Sequence, residues 1–458
     1  MYARRMLFPC LVIFSLLLAA CGAPSGAGTS TTGASQAASD AGTSDAAPAA
    51  SAAAATSGDQ IELRMAWWGS QARHDRTLKV IDLFQQEHPN IKITSEYGNF
   101  DDHWTKLATQ ASGGNLPDII QQDYSKLEEW VSRGQLLALD SYVQGGQLNL
   151  SGVAEEQLSG GKIDDKLYGV SLGTNALTVL YDPALFQQAG VETPKADWTW
   201  SDFQQAATQI HEKLGIYGVE GFYNAEFLKL WLKEHGEWIY NEDGAGLGYD
   251  DDKLAADFFQ ILLDMQESGA MPSREFDASR GVVGLEDSLI VTKQAAMLLL
   301  WSNQTAAVSA AAPDRDLALT QTPSAQPGVE GIYLKPSMFF SVAATSQHPA
   351  EAAMFIDYFL NSEAANEVLA AERGVPIAPT VRQALQPSLP AIQQKIFDYI
   401  SQIEPTAAPI DPPDPPTHGK LISDVYNPLI DQLLYKQITP QEAAAQFREQ
   451  ATAVLASQ

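Results

Sequence analysis

From residue 61 to residue 120 the hydrophobic period switches repeatedly between that of a strand and that of a helix, and this alternation narrows the possible folds sharply. Ile61, Leu63 and Met65 alternate with Glu62, Arg64 and Ala66, the pattern of a strand with one buried face. Leu78, Ile81 and Phe84 then recur at helical spacing, and His88-Pro89-Asn90 should stop that helix. Ile91 and Ile93 alternate again. Trp104, Leu107, Ala108 and Ala111 suggest a second helix ending at Ser112-Gly113-Gly114, and Pro117-Asp118-Ile119-Ile120 reads as a short buried strand. Strand, helix, strand, helix, strand implies a parallel sheet covered by helices, an α/β lobe.

After about Gly173 the character shifts. Ala176 to Tyr181 reads as a strand broken by Asp182-Pro183. Thr199-Trp200-Ser201-Asp202-Phe203 opens a helix with Phe203, Ala206, Ala207, Ile210 and Leu214 on its apolar stripe. Asp251 or Asp252 can cap another, with Leu254, Phe258, Ile261 and Met265 buried. Ala296 to Leu300 is an apolar strand running into Trp301-Ser302-Asn303. Glu404 to Thr417 holds six prolines and should be a stiff extended strap, because proline fixes φ and removes a donor. A body from 59 to 458 is long enough for two domains, and no internal repeat is visible.

The chain begins differently. Arg4 and Arg5 precede an apolar run from Leu11 to Leu18 that is too short to span a bilayer, followed by Ala19-Ala20-Cys21. This reads as a signal peptide over 1–20 whose end resembles a bacterial lipobox, with Cys21 acylated as the mature N-terminus. An ordinary signal peptide is the alternative. Residues 22–58 are almost all Ala, Ser, Gly and Thr, too poor in apolar surface to offset the entropy of ordering, so a flexible tether is expected. The chain carries 28 Lys plus Arg against 56 acidic residues, a formal net charge of −28. Such a surface argues against nucleic acid and anionic lipid headgroups as partners. Cys10 and Cys21 are its two cysteines, so the body has no disulfide, thiol catalysis or cysteine-based zinc site.

Several short stretches, taken in order, resemble the sugar-binding family of extracellular solute-binding proteins of ABC importers, which includes maltodextrin-binding proteins. They are Met65-Ala66-Trp67-Trp68-Gly69, Gly114-Asn115-Leu116-Pro117-Asp118-Ile119-Ile120, Gly134-Gln135-Leu136-Leu137-Ala138-Leu139-Asp140 and Lys166-Leu167-Tyr168-Gly169-Val170. Trp198-Thr199-Trp200-Ser201-Asp202-Phe203, Trp301-Ser302-Asn303 and Glu372-Arg373-Gly374-Val375-Pro376 complete the series. The resemblance implies a type II periplasmic-binding-protein-like fold: two lobes, each a mostly parallel sheet flanked by helices, with the ligand cleft between them. The first lobe would comprise 59–172 and 341–374, the second 173–340 and 375–458. Hinge crossings are expected near Val170 to Asn175, Ser337 to Val342 and Gly374 to Ile377. Further implied are an oligosaccharide ligand, ABC permease subunits as partners, a monomer held to the extracytoplasmic face of the cell membrane by lipid on Cys21, and no cofactor.

Sugar recognition needs aromatic platforms for the C–H faces of pyranose rings and planar polar groups for hydroxyls. Trp67 and Trp68 end the first strand, where an α/β sheet places its ligand crevice. Alternation sends them to opposite sides, so one faces the cleft and the other packs under a helix; the sequence does not choose. Trp104 fits a core or a site role, while His103 beside it reads as an exposed loop residue. The resemblance carries a sugar-contacting position to Asp123 and Tyr124, a stacking ring to Trp301 with Asn303 nearby, and hinge-side polar groups to Asn175 and Ser337. Trp198 and Trp200 read as structural, and Trp231 and Trp238 as core or lobe surface. Arg73, His74 and Arg76 form a solvated helix start or, in Arg73 or Arg76, a partner for an acidic sugar, since guanidinium pairs carboxylate through two parallel bonds. Trp-Trp-Gly followed by Arg-His is similar to oligogalacturonide-binding members, although Phe100-Asp101-Asp102-His103 and Gln121-Gln122-Asp123-Tyr124 depart from them.

Asn241-Glu242-Asp243-Gly244 and Asp250-Asp251-Asp252 lack EF-hand spacing and read as an acidic turn leading to a cap. Glu286-Asp287-Ser288 is a further candidate for sugar hydroxyls, ranked below Asp123. Against the binder stand an anchored polysaccharide-degrading enzyme, which would need two carboxyl groups across the scissile bond, a peptide receptor, and a signalling subunit using the same cleft.

Overall fold

Each of the opening periodicities becomes an element in the computed structural model, which describes residues 60–456 apart from 282, 283 and 330. The signal segment, the Cys21 lipidation site and the tether lie outside the described residues. No described helix is long and apolar enough to cross a membrane. In order come β1 (Ile61–Trp68), α1 (Gln71–Glu87), β2 (Ile91–Gly98), α2 (Phe100–Ser112) and β3 (Ile119–Gln122). Ser70 caps α1 by accepting from the Arg73 amide, and Asn99 caps α2 by accepting from Asp102 at 2.9 Å. β1 runs parallel to both neighbours, Ile61 opposite Ile91 and Met65 opposite Ile119. Its Leu63, Met65 and Trp67 face one core with Val80, Ile81 and Phe84 of α1.

The first sheet has five strands, in the order β2, β1, β3, Phe339–Val342, Val170–Ser171. The second has four, in the order Ala318–Thr320, Leu177–Tyr181, Ala295–Trp301, Tyr217–Val219. Helices Trp200–Leu214, Asp252–Glu267 and Pro440–Leu455 contribute to the core around the second sheet. The first carries the full capping box, Thr199 with Asp202. The sheets are less parallel than expected. Phe339–Val342 pairs antiparallel with β3 and with Val170–Ser171, and Leu177–Tyr181 antiparallel with both its neighbours. The reason is topological: a strand leaving the junction between the sheets lies beside one running back towards it.

That junction is a knot of backbone hydrogen bonds. Thr174 and Val375 exchange bonds of 2.8 and 3.1 Å. Lys335–Pro336 pairs antiparallel with Thr174–Asn175, Lys335 facing Asn175, and the Ser337 amide donates to the Gly173 carbonyl at 2.9 Å. A Cβ on Gly173 would collide with the Arg373 carbonyl, and Gly374 holds φ at +99°, so the closest approach requires glycine on both sides. The second passage thus runs through Lys335 to Ser337. Phe339–Val342 already lies wholly in the first sheet, and a boundary between 340 and 341 falls inside that strand.

Trp67 and Trp68 separate as alternation demands. Trp67 is 0% exposed; its indole donates to His74 Nδ1 at 3.1 Å and its ring lies 5.0 Å from Tyr97. Burial lowers the His74 pKa, which keeps the imidazole neutral and able to accept. On the other side Trp68 packs against Phe100, His103 and Trp104. His103 is therefore no exposed loop residue: it is buried, with Nε2 3.0 Å from the Gln121 carbonyl. Burial, only partly opposed by that hydrogen bond, pulls its pKa from 6.5 to about 4.

Trp67→Ala should cost about 3–5 kcal/mol, through the cavity and the lost partner of His74, read as a lower midpoint in chemical denaturation. A second prediction concerns acid. Between its unfolded pKa of 6.5 and its folded value of about 4, His103 binds more proton in the unfolded chain than in the folded one. Its contribution to stability is therefore complete above the upper value and lost as pH falls through the window. His103→Gln, which cannot titrate, should flatten that part of the stability–pH curve; an unchanged slope would assign the acid sensitivity to other groups.

Candidate functional site

β1 and β3 of the first sheet and Ala295–Trp301 of the second all end at the junction, where loops from both lobes meet. On the first-lobe side Gln121 and Gln122 close β3, both fully buried. Gln121 Nε2 donates to the Trp68 carbonyl at 3.1 Å, whereas neither amide atom of Gln122 has a partner. Asp123 then caps the helix Tyr124–Ser132 (α3), its Oδ1 accepting from the Ser125 amide at 3.0 Å and hydroxyl at 2.6 Å. That helix was not anticipated from the sequence. Tyr124, its first residue, donates its hydroxyl to the backbone carbonyl of Asp411, in the proline-rich strap.

The second lobe supplies an aromatic wall. Trp301 ends its strand with the Tyr333 ring 6.0 Å away at 75°, and Lys335 Nζ lies 4.5 Å from its ring centroid. Tyr333 bridges to Ala408, which fixes the strap along this wall. Lys233 sits between two rings, 4.5 Å from the centroid of Trp238 and 4.6 Å from that of Tyr333, and forms an ion pair with Asp411. Lys229 pairs with Asp414 at 2.6 Å and Glu226 at 3.5 Å. Burial pushes Lys233 down and Asp411 up, and each partner's charge opposes the shift. His418 follows the strap, its Nδ1 2.5 Å from the Tyr240 hydroxyl and its Nε2 3.5 Å from Asp414.

At the hinge, Asn175 Oδ1 and Ser337 Oγ are buried without partners. With the unpaired amide of Gln122 they form a polar set suited to paired donor and acceptor groups such as sugar hydroxyls. Glu226, Asp414 and His418 could each present one atom to a metal, all within 4.8 Å of one another. The Lys229 ammonium already bonds both carboxylates, so a cation is built in.

The structure brings Tyr124, Asn175, Trp301 and Ser337 to this junction. Trp67 lies in the core. Trp68 and Trp104 belong to an aromatic cluster in the first lobe, where the Trp104 indole nitrogen is buried and unpartnered. Asn303 is exposed, two residues past Trp301. Asp123 serves its helix. Arg73 neither heads into solvent nor stands free: its Nε lies 3.0 and 3.1 Å from the two Glu372 oxygens. Arg76 donates to the Val368 and Leu369 carbonyls at 2.6 and 2.9 Å. Both arginines hold the turn that leads into the third hinge passage. Sequence reading passed over Gln122, Lys233, Tyr333, Lys335 and Asp411; the prolines around Asp411 were the one visible signal for any of them.

Known proteins share this architecture. The solved structure of an extracellular solute-binding protein of family 1 from Alicyclobacillus acidocaldarius superposes with a TM-score of 0.79 at 29% identity, covering 87% of this chain and 100% of that one. A periplasmic oligogalacturonide-binding protein from Yersinia enterocolitica gives 0.72 at 27% identity, covering 86% and 99%. A multiple sugar-binding protein of Streptococcus mutans is 24% identical over 175 residues, 37% of this chain. The matches to the first curated relatives span 39% to 52% of those proteins' length. The family description of bacterial extracellular solute-binding proteins matches residues 71–366. With most of its body inside that match and a two-lobed type II fold, the chain belongs to the bacterial extracellular solute-binding proteins.

Proposed function

We propose that the chain is the carbohydrate-binding subunit of an ABC importer, held as a monomer outside the cytoplasm by lipid on Cys21, and that it delivers an oligosaccharide to the permease. The observation that carries this reading is the wall of Trp301 and Tyr333 at the hinge, faced from the other lobe by Tyr124. Flat rings with buried, unpaired amide and hydroxyl groups beside them suit a pyranose better than a peptide backbone, which would call for an exposed strand edge. The sugar-binding and oligogalacturonide-binding relatives support the ligand class.

Lobes built from 59–172 with 341–374 and from 173–340 with 375–458, the second passage taken at Lys335 to Ser337, would close by small rotations at the three hinge passages. Trp68, Trp104, Asp123 and Arg73 stand on the first lobe in this reading, and ligand reaches them only if it extends along that lobe, whereas the exposed Asn303 lies on the second lobe two residues past Trp301. The enzyme alternative is disfavoured by the carboxylates themselves. A glycosidase needs one carboxyl free as acid and a second as base or nucleophile. Asp411 and Asp414 at the wall are instead bonded to Lys233 and Lys229.

Thermal unfolding of the purified chain against neutral oligosaccharides, oligogalacturonides and short peptides tests the proposal. A ligand at a hundred times its Kd should add about 2.7 kcal/mol and raise the melting temperature. A response to peptides alone would overturn the sugar reading. Trp301→Ala should weaken glycan binding by more than about 1 kcal/mol in calorimetry with the melting temperature of the free protein retained; normal affinity would remove Trp301 from the site. Tyr124→Phe deletes the bond to the strap, worth about 0.5–1.5 kcal/mol. Small-angle scattering should then show a more open ligand-free chain, and an unchanged profile would mean that other contacts set the lobe angle.

A further inference from the structure

Lys335 stands apart from the other cations of the aromatic wall. Lys229 is neutralised by Asp414 and Glu226, and Lys233 by Asp411. Among the described residues Lys335 makes no ion pair, in a chain with twice as many acidic as basic side chains. Its ammonium lies 4.5 Å from the Trp301 ring centroid, a contact that only partly replaces hydration. Its backbone is fixed in the hinge strand opposite Asn175, whose Oδ1 is buried and unpaired, and two residues before Ser337, whose Oγ is also unpaired. A positive charge, a flat ring and two unanswered polar atoms thus sit together at a place that both lobes border.

A neutral pyranose stacking on Trp301 would have to push this ammonium off the ring and leave it without a counter-charge. A pyranose bearing a carboxylate takes the ring face and answers the ammonium in one placement, because the carboxyl group of a uronic acid projects from the ring edge. The strap carboxylates Asp411 and Asp414 are engaged by Lys233 and Lys229 and form no ion pair with Lys335. Resting on the carbohydrate reading above, we propose that Lys335 is a specificity-determining residue that selects glycans containing a uronic acid, with the acid group at the Trp301 subsite. Acid recognition then lies at the hinge and not at Arg73, which Glu372 already engages in a forked contact.

The test uses titration calorimetry of the full chain with oligomers of galacturonate, of mannuronate and guluronate, and of glucuronate-containing disaccharides, each beside a neutral glycan of the same length. At least one acidic series should bind roughly tenfold or more tighter than its neutral counterpart, as a charge-assisted hydrogen bond implies. Lys335→Gln should erase that difference by weakening acidic binding without weakening neutral binding, and Lys335→Arg should keep most of it, which also guards against a misfolded variant. Raising salt should weaken acidic binding in the wild type and barely alter it in Lys335→Gln. Preference for neutral glycans, or equal loss of both kinds in Lys335→Gln, would overturn the assignment and leave the carbohydrate reading standing. Binding of peptides with no glycan would remove both.

Discussion

The backbone bonds that tie Thr174 to Val375, and Thr174–Asn175 to Lys335–Pro336, are what make two sheets into one protein. Each sheet has its own core, the first around Leu63, Trp67 and Phe84 and the second around Phe203, Phe258 and Tyr426. Cores of that size hold rigid bodies, so the freedom that remains lies in the three narrow passages between them. Those passages are short, extended and in contact with one another, so none can rotate without the others. Gly173 and Gly374 let the backbones approach closely enough for the contact, and a side chain at Gly173 would drive them apart. Everything at the site is attached to this point: strands converge on it, and the polar atoms of Asn175 and Ser337 belong to it.

The elements were legible because their signals are local. Alternation at Ile61 to Ala66, helical spacing at Leu78 to Phe84 and the Thr199–Asp202 box need only neighbours in sequence, and the strands and helices stand where those signals put them. What escaped reading depends on partners far along the chain. Arg73 meets Glu372 from 299 residues away, and Tyr124 reaches Asp411 from 287. His103 reads in sequence as an exposed loop residue, and only the arrival of Trp68 and the Gln121 carbonyl buries it. Trp67 and Trp68 show the limit cleanly. Period two says they diverge, but α1 with its His74, together with Tyr97 of β2, decides which of them is sealed.

The proline-rich strap shows how composition can announce an element without its purpose. Six prolines in 404–417 imply an extended, donor-poor segment; the structure opens it with a 3-10 turn at Glu404–Thr406 and closes it with a turn at Pro416-Thr417, and the stretch between forms no helix. Its poverty in donors has a consequence at the site. Backbone carbonyls that no helix or sheet engages stay available, and the one at Asp411 accepts from Tyr124 across the cleft. The same stiffness presents Asp411 and Asp414 to Lys233 and Lys229. Two lysines buried among aromatic rings would otherwise carry a heavy desolvation cost, and carboxylates on a stiff segment offset it with little further loss of chain entropy.

On the proposed carbohydrate reading, recognition and closure share residues in this molecule. Lys335 and Ser337 lie on a hinge passage, Trp301 is one strand away, and Tyr124 and Gln122 come from the opposite lobe. A ligand can bias lobe closure only by the difference between its contacts in the two states. Contacts with Trp301 alone exist in either state, because that ring moves with its own lobe. Tyr124 already bonds Asp411 without ligand, so on the proposed reading it is new ligand contacts joining the Trp301 side to first-lobe groups such as Gln122 that would supply the closing free energy. On that reading a ring stacked at Trp301 would contribute affinity in both states, while the buried amide of Gln122 would determine whether binding is converted into the closed form.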